Sequence, residues 1–427
     1  MAPGTLYTSE LESPNWSAKK FEPVLQKQMQ LIGTAIREHL MNIDEQELDS
    51  FFVCDIGELK RLVKKWRENL PRIEPFYAVK CNNDRELLRT MAVELGLGFD
   101  CASKNEIQNI LSLGVNPSRI IYANPCKAIP HIRYAKEKGV DLTTVDNIDE
   151  LYKMKRLHED CGLLIRILTD DSTSACPLSV KFGASLDYAK QIVDTCSQLK
   201  LNLRGIAFHV GSGCKNFNTI KSAVADCKKM FDYAATKGFE LDLLDVGGGF
   251  SKVSFQESSK ILRDAIETHF PLQTYGHMQI ISELGRYLSS SCFTLVTNVI
   301  GKRSDHTKER IYLNDGLYGN LNCILYDHQK VEPRILTSRG EFKFFEDYLE
   351  QPPLLSNKKY SIWGPTCDGL DCITQKCGLP YEVQTSDWLY FKDIGAYTSA
   401  ASTSFNGFEA TTESIYVDSE DRIYMYK

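Results

Sequence analysis

The stretch EPFYAVKCNN (74–83) sets an apolar run, Phe76-Tyr77-Ala78-Val79, directly against Lys80, and Cys81, Asn82, Asn83 and Asp84 then read as turn and helix-start residues. A lysine in that place either lays its stem on apolar surface with its ammonium in water, or faces a pocket. In a pocket a lowered pKa makes the amine nucleophilic enough for a Schiff base. Farther along, comparable short runs also end on polar residues: Asp100, Asn124, Asp146, Arg166, His209, Gly247-Gly248-Gly249, and Glu283 followed by Gly285-Arg286. Three glycines after a buried strand let backbone N–H groups approach a phosphate without interference from Cβ. Ser212 in HVGSG and Arg286 in GRY would complete such an anion site. A lysine, a phosphate site and a carboxylate together suggest pyridoxal 5′-phosphate. Lys80 would carry the cofactor, Glu283 would keep the pyridine nitrogen protonated, and His209 would stack on the ring face. On these residues alone racemase, decarboxylase and aldolase chemistry all remain open.

Such groups need elements that bring them to one place. From Phe76 to about Tyr287 short β-branched or aromatic runs alternate with helical stretches. The runs are FYAVK (76–80), LGFDC (97–101), RIIYA (119–123), DLTTV (141–145), LLIRI (163–167), GIAFHV (205–210), DLLDV (242–246) and QIISE (279–283). Between them, segments such as NEIQNILSLG and SSKILRDAIETHF repeat apolar residues at three and four, as a helix packed on one face requires. A doubly wound open sheet shares this alternation. The count of eight and the absence of GxGxxG after the first run favour a (β/α)8 barrel. In a barrel the ends of the strands form one mouth, which is where the polar residues fall. Past residue 288 the pattern becomes strand-like with little helical periodicity, as in SCFTLVTNVIGK, RIYLNDGLYG, YSIWGPTCDG, DWLYFKDIGAY and ESIYVDS, and predicts an all-β domain that FFVCDIG (51–57) could join. Residues 301–310 and 340–358 read as loops.

Composition narrows the function. The 427 residues are 43% hydrophobic and 25% charged with a net charge of −6, an ordinary globular balance that argues against a nucleic-acid binder. No apolar run approaches the roughly 20 residues that span a bilayer, and MAPGTLYTSELESPNW is not expected to act as a secretory signal. Fourteen cysteines without an export signal point to reduced thiols in the cytoplasm. No metal site is expected, because no CxxC or HExxH occurs.

The motifs PFYAVKCN, FDCASKNE, IIYANPCK, FHVGSGC, LLDVGGGF, ELGRY, LNDGLYGNLNCILYDH, WGPTCDGLD and GAYTSAASTSFNGF together resemble the eukaryotic ornithine decarboxylases, most of all the fungal ones, within the pyridoxal phosphate-dependent group IV (Orn/Lys/Arg) decarboxylases. The resemblance runs from about Phe51 to the end. It implies an N-terminal extension and helix over 1–50 and an alanine-racemase-like barrel with a leading strand over 51–287. It further implies a β-domain over 288–427 that contributes to the partner's active site in a head-to-tail homodimer. Lys80 matches the Schiff-base lysine, and Ser212, Gly247–Gly249, Gly285, Arg286 and Tyr397 match the phosphate side. Glu283 matches the partner of the pyridine nitrogen and His209 the stacking imidazole, with Asp100, Glu106 and Arg166 as supporting polar groups. Cys367 matches the group that returns a proton to Cα, and Tyr326, Asp327 and Asp368 the residues facing the distal ammonium of the substrate; Cys367 and Asp368 come from the second subunit. Lys181 and Asp371 match an ion pair across the dimer.

Two departures from the family pattern lie near these positions: Leu284 stands where the family has proline, and Pro177 where an arginine is usual. The resemblance implies decarboxylation of L-ornithine to putrescine in polyamine biosynthesis. Alternatives are a diverged fungal paralogue acting on a larger cationic amino acid in loline-type alkaloid formation, and a non-catalytic regulatory relative.

Overall fold

The computed structural model describes residues 23–44, 48–305, 308–349, 353–356, 358–408, 412–421 and 423–425. These fall into two compact units: one from Arg61 to Leu288, the other comprising the described residues up to Lys60 and from Ser289 onward. Strand β1 (Phe51–Asp55) belongs to the second unit and precedes the barrel strands in the chain.

In the first unit eight parallel strands close in sequence order: β2 (Glu74–Ala78), β3 (Gly98–Cys101), β4 (Ile120–Tyr122), β5 (Leu142–Val145), β6 (Gly162–Arg166), β7 (Leu203–Ala207), β8 (Leu243–Asp245) and β9 (Gln279–Leu284). The closed barrel is the architecture that the eight-fold alternation predicted, and the open sheet is excluded. Phe76, Ile121, Leu164, Ala207, Leu243 and Ile281 bury one another in a single cluster, one residue from each of six strands. Gly205 has a steric reason: a Cβ there would stand 1.9 Å from the carbonyl oxygen of Leu243 on the neighbouring strand. The helices begin where the sequence offers caps. Ser103, Asn147 and Ser185 accept from the backbone N–H groups of Glu106, Glu150 and Tyr188, three residues on, which satisfies otherwise orphaned donors of the first turn.

In the second unit β1 joins the C-terminal sheet, parallel to Glu413–Asp418 and antiparallel to Phe293–Asp305. The helix Pro23–Asn42 packs on it through Met29, Ile32, Ala35, Ile36 and Leu40, which share a core with Phe51, Val53, Val296, Trp388 and Tyr390. The sheet differs from expectation in its polar parts. Of residues 301–310, read as a loop, 301–305 and 308–310 belong to the antiparallel strands Phe293–Asp305 and Lys308–Leu313, and 306–307 lie outside the described residues. Within 340–358, Glu341–Phe342 is a short strand and Phe344–Tyr348 a 3-10 helix. Cys372–Gly378 is also a strand, antiparallel to Lys359–Trp363. Among the described residues no helix is long and apolar enough to cross a membrane, and no group of three or more His, Cys, Asp or Glu could hold a metal ion. Among the described residues no disulfide joins any of the fourteen cysteines.

Candidate active site

Lys80 does not end its strand. β2 stops at Ala78, and Val79–Cys81 make one turn of 3-10 helix. The last ladder pair in this region is Ala78 with Asp100 on β3, and this register sets the lysine beside the acid: Lys80 Nζ donates to Asp100 Oδ2 at 2.5 Å. Asp100 is fully buried, and its Oδ1 accepts no hydrogen bond. Glu106 lies nearby, accepting from the N–H of Ala102 at 2.5 Å, with burial raising its pKa.

β9 brings in Glu283, opposite Phe76 on β2. Burial, then the charges of Asp245 and Asp100, raise its pKa well above the carboxylate range, against the pull of Lys80 and Arg166. Asp245, the last residue of β8, is its hydrogen-bonded neighbour and is itself pushed up to about 7 by burial, although the N–H of Gly247 donates to its Oδ1 at 2.8 Å. The two acids thus form a buried pair on adjacent strands that favours holding protons. Leu284, in the family's proline position, is buried and continues the ladder opposite Tyr77. Strand pairing therefore restrains the backbone beside Glu283 where the proline ring is missing.

The glycine run explains itself in space. Gly247 has φ +61° and Gly249 φ +100°, the left-handed side that glycine enters without penalty. A Cβ on Gly248 would stand 2.4 Å from the carbonyl oxygen of Glu283 and 3.0 Å from His209 Nε2. His209 Nδ1 accepts from the N–H of Gly211 at 3.0 Å, so the proton of a neutral ring sits on Nε2. The ring is neutral, because burial and then Arg166 and Lys80 hold its pKa well below the ordinary value. Ser212 exchanges backbone hydrogen bonds with Cys176, both at 3.1 Å, and its Oγ accepts from Arg286 Nη2 at 3.1 Å. The Gly247 N–H is taken by Asp245 and the Ser212 N–H by Cys176, so the donors left to meet an anion here are the Ser212 hydroxyl, Arg286 and the N–H groups of Gly248 and Gly249. Arg166 lies over the ring of Phe182 at 5.6 Å.

Lys80, Asp100, Glu106, Arg166, His209, Ser212, Gly247–Gly249, Glu283, Gly285 and Arg286 all belong to the barrel unit. Tyr326, Asp327, Cys367, Asp368 and Tyr397 belong to the β-domain unit. There Asp327 is buried just after the short helix Cys323–Tyr326, Tyr326 is exposed, and Tyr397 has φ +56°. Cys367 is exposed, and Asp368 Oδ2 accepts from the hydroxyl of Tyr318, which with the N–H of Leu370 lowers its pKa. Asp371 is buried, accepting from the N–H groups of Leu317 and Thr366. Lys181 is exposed, its ammonium over the ring of Phe182 at 5.0 Å, and Pro177 is exposed. Sequence reasoning passed over Asp245. Its only signal was an acid inside the apolar run DLLDV, two residues before the glycines.

Residues 56–290 match the family described as the pyridoxal-dependent decarboxylases, pyridoxal binding domain. The chain is 49% identical over 389 residues to the ornithine decarboxylase of Saccharomyces cerevisiae, covering 88% of this chain and 83% of that one. To the ornithine decarboxylase of Candida albicans it is 44% identical, with 92% and 90% covered. Among solved structures, the arginine decarboxylase of Paramecium bursaria Chlorella virus superposes with a TM-score of 0.82 at 33% identity, covering 90% of this chain and all of that one.

Proposed function

We propose that this chain, which belongs to the ornithine decarboxylase family of pyridoxal-dependent decarboxylases, removes the carboxylate of L-ornithine as CO2 and releases putrescine. The fold does not choose the substrate, since an arginine decarboxylase shares it. The observation that carries the choice is the identity of 44–49% to two fungal ornithine decarboxylases over about nine-tenths of the chain.

The residues of the barrel mouth suit pyridoxal phosphate. Gly248 keeps the space between His209 and Glu283 free of a side chain, Asp100 presents a buried oxygen without a partner, and the anion donors are the Ser212 hydroxyl, Arg286 and the N–H groups of Gly248 and Gly249. When bound, the cofactor supplies a conjugated electron sink for the pair left on Cα as CO2 departs.

In this reading Lys80 holds the cofactor aldehyde through its amine, and Asp100 keeps that amine oriented from 2.5 Å. Glu283, backed by Asp245, fixes a proton between its carboxyl and the pyridine nitrogen; a buried acid that already favours the protonated state suits that hydrogen bond. His209, being neutral, covers the ring without adding a charge that would oppose the pyridinium. Gly285, Arg166 and Tyr397 complete the cofactor side. Asp327 and Asp368, with Tyr326, take the distal ammonium of the substrate, where a charge-assisted hydrogen bond gives both affinity and length selection. The thiol of Cys367 then returns a proton to Cα.

Cys367 and Asp368 reach the site from a second copy of the chain in a homodimer, with Lys181 and Asp371 pairing across it. In support, Leu370, an apolar residue between Asp368 and Asp371, is 67% exposed. The enzyme works in the cytoplasm.

The test of substrate is product analysis. Purified holoenzyme is given L-ornithine, L-lysine and L-arginine separately, and the diamine or agmatine formed is identified by mass spectrometry; cadaverine or agmatine exceeding putrescine refutes the reading. Shared sites are tested by mixing Lys80→Ala and Cys367→Ala proteins, each impaired in putrescine formation, and reading putrescine. Random exchange in a two-fold dimer restores about one quarter of the sites, and no recovery refutes sharing.

A further inference from the structure

Two contacts hold the segment that carries Cys367 and Asp368, and both come from elsewhere in the β-domain. The backbone N–H of Cys367 donates to Oδ1 of Asn406 at 2.9 Å. The hydroxyl of Tyr318 donates to Oδ2 of Asp368. Asn406 occupies φ 56°, ψ 14°, the left-handed region in which asparagine is enriched and most other side chains are strained. Its neighbour Phe405 stacks on Tyr318 with ring centroids 4.4 Å apart and planes at 24°, and the N–H of Thr403 donates to the carbonyl of Tyr318 at 2.9 Å. Asp371 closes the other side: its Oδ1 accepts from Leu317 N–H at 2.7 Å, and its Oδ2 from Thr366 N–H at 3.1 Å and Thr366 Oγ1 at 2.7 Å. Two stretches distant in sequence, 317–318 and 403–406, together with Asp371 thus hold the chain around a cysteine that stays exposed.

We infer that Asn406 is a positioning residue for the Cys367 thiol: by holding the main chain at 367 it sets which carbon of the reacting system receives the returning proton. The inference rests on the reading of Cys367 as the proton donor. The alternative destinations differ in product. A proton delivered to Cα gives the diamine and leaves the cofactor aldehyde to be regenerated. A proton delivered to the cofactor's own carbon sends the substrate amino group away as pyridoxamine phosphate and the carbon skeleton away as 4-aminobutanal. In the second course the substrate carbon is oxidised and the cofactor reduced, so CO2, the aminoaldehyde and pyridoxamine phosphate balance against ornithine and pyridoxal phosphate with no outside oxidant. Misplacing a reacting group by about 1 Å costs on the order of 100-fold, so a loosened thiol should lose this contest often.

The experiment uses holoenzyme with Asn406→Gly, which keeps the left-handed backbone without strain and removes the acceptor, and Asn406→Asp, which keeps an acceptor of the same reach. Hydrogen exchange of the peptide containing Cys367 reads the clamp directly, and the ratio of pyridoxamine phosphate to putrescine reads the proton's destination. Expected for Asn406→Gly are faster exchange at the Cys367 amide and a pyridoxamine share raised roughly tenfold or more, by the same misplacement argument. KM should stay within about twofold, since Tyr318 still holds Asp368, and Asn406→Asp should match the wild type in all three. Should Asn406→Gly not accumulate folded, Asn406→Ser, too short to reach the amide, carries the same expectations. A wild-type product ratio in the Gly or Ser variant, or an Asp variant as impaired as Gly, overturns the inference. Cys367→Ala run in parallel separates the two levels: a wild-type ratio there refutes the proton-donor assignment itself. A raised ratio there, with a normal one in Asn406→Gly, refutes only the positioning.

Discussion

Replacing Gly248 by alanine tests whether the cofactor lies between His209 and Glu283. The added Cβ would stand 2.4 Å from the Glu283 carbonyl oxygen, and ordinary contact begins at 3.4 Å, so the two must part by 3.4 − 2.4 = 1.0 Å. His209 Nε2, at 3.0 Å, blocks the opposite escape. Glu283 is tied to the same loop, its N–H donating to the carbonyl of Gly247 at 2.8 Å, so the strain passes directly to the acid that is to meet the pyridine nitrogen. Overpacking of this kind costs about 1–3 kcal/mol, and at about 1.4 kcal/mol per tenfold that corresponds to roughly 5- to 140-fold weaker cofactor binding. The assay is reconstitution of cofactor-free protein with pyridoxal phosphate, followed by its absorbance. Gly301→Ala serves as the control, since its Cβ would meet nothing closer than 3.8 Å. Binding by Gly248→Ala within about twofold of wild type, with Gly301→Ala unchanged, would refute the placement of the ring, because no cofactor held against that loop could ignore a 1.0 Å displacement.

Cofactor-free protein should lose stability as pH rises above about 4, because both Asp245 and Glu283 keep protons in the folded state. Asp245 titrates at about 7 when folded against an ordinary 3.8, so the folded state keeps a proton that the unfolded chain has released; urea midpoints between pH 5 and 8 should fall, and Asp245→Asn should flatten the slope. Lys127 is wholly buried, 2.9 Å from Glu150 Oε1 and donating to the carbonyls of Asn124 and Thr144. Lys127→Met should cost about 3 kcal/mol in chemical denaturation by breaking a buried pair, and a loss below about 1 kcal/mol would show that Lys153, 2.5 Å from the same carboxylate, compensates. Gly205→Ala, whose Cβ would overlap the Leu243 carbonyl at 1.9 Å, should keep β7 and β8 from pairing and give little soluble protein. Soluble expression at wild-type yield with an unchanged circular dichroism spectrum would contradict that.

The barrel was legible because it is built from local signals that repeat. Each strand is a short apolar run followed by an amphipathic helix with its own cap, and closure then carries the strand ends to one mouth without further information. Lys80, Asp100, His209 and Glu283 can therefore be grouped from the sequence alone. What periodicity cannot show is where pairing stops: the run FYAVK continues past the last ladder pair, Ala78 with Asp100, and Lys80 sits on a 3-10 turn instead of a strand end. Asp245 was hidden for the same reason, since an acid at the end of an apolar run becomes a partner of Glu283 only once two non-consecutive segments lie side by side.

The β-domain offers fewer such signals. The end of its strand Phe293–Asp305 shows no alternation that would mark a buried face, with Arg303, Ser304 and Asp305 all exposed. Cys372–Gly378 sits at the edge of the sheet with mixed burial. The residues around Cys367 are held by side chains 39 and 50 positions away, Asn406 and Tyr318. Strand order can place a catalytic group by topology alone, but a loop must be placed by individual hydrogen bonds. On the proposed roles the cofactor side depends on the first and the proton-return side on the second, so substitutions far from Cys367 in sequence should alter the product ratio while leaving cofactor affinity untouched.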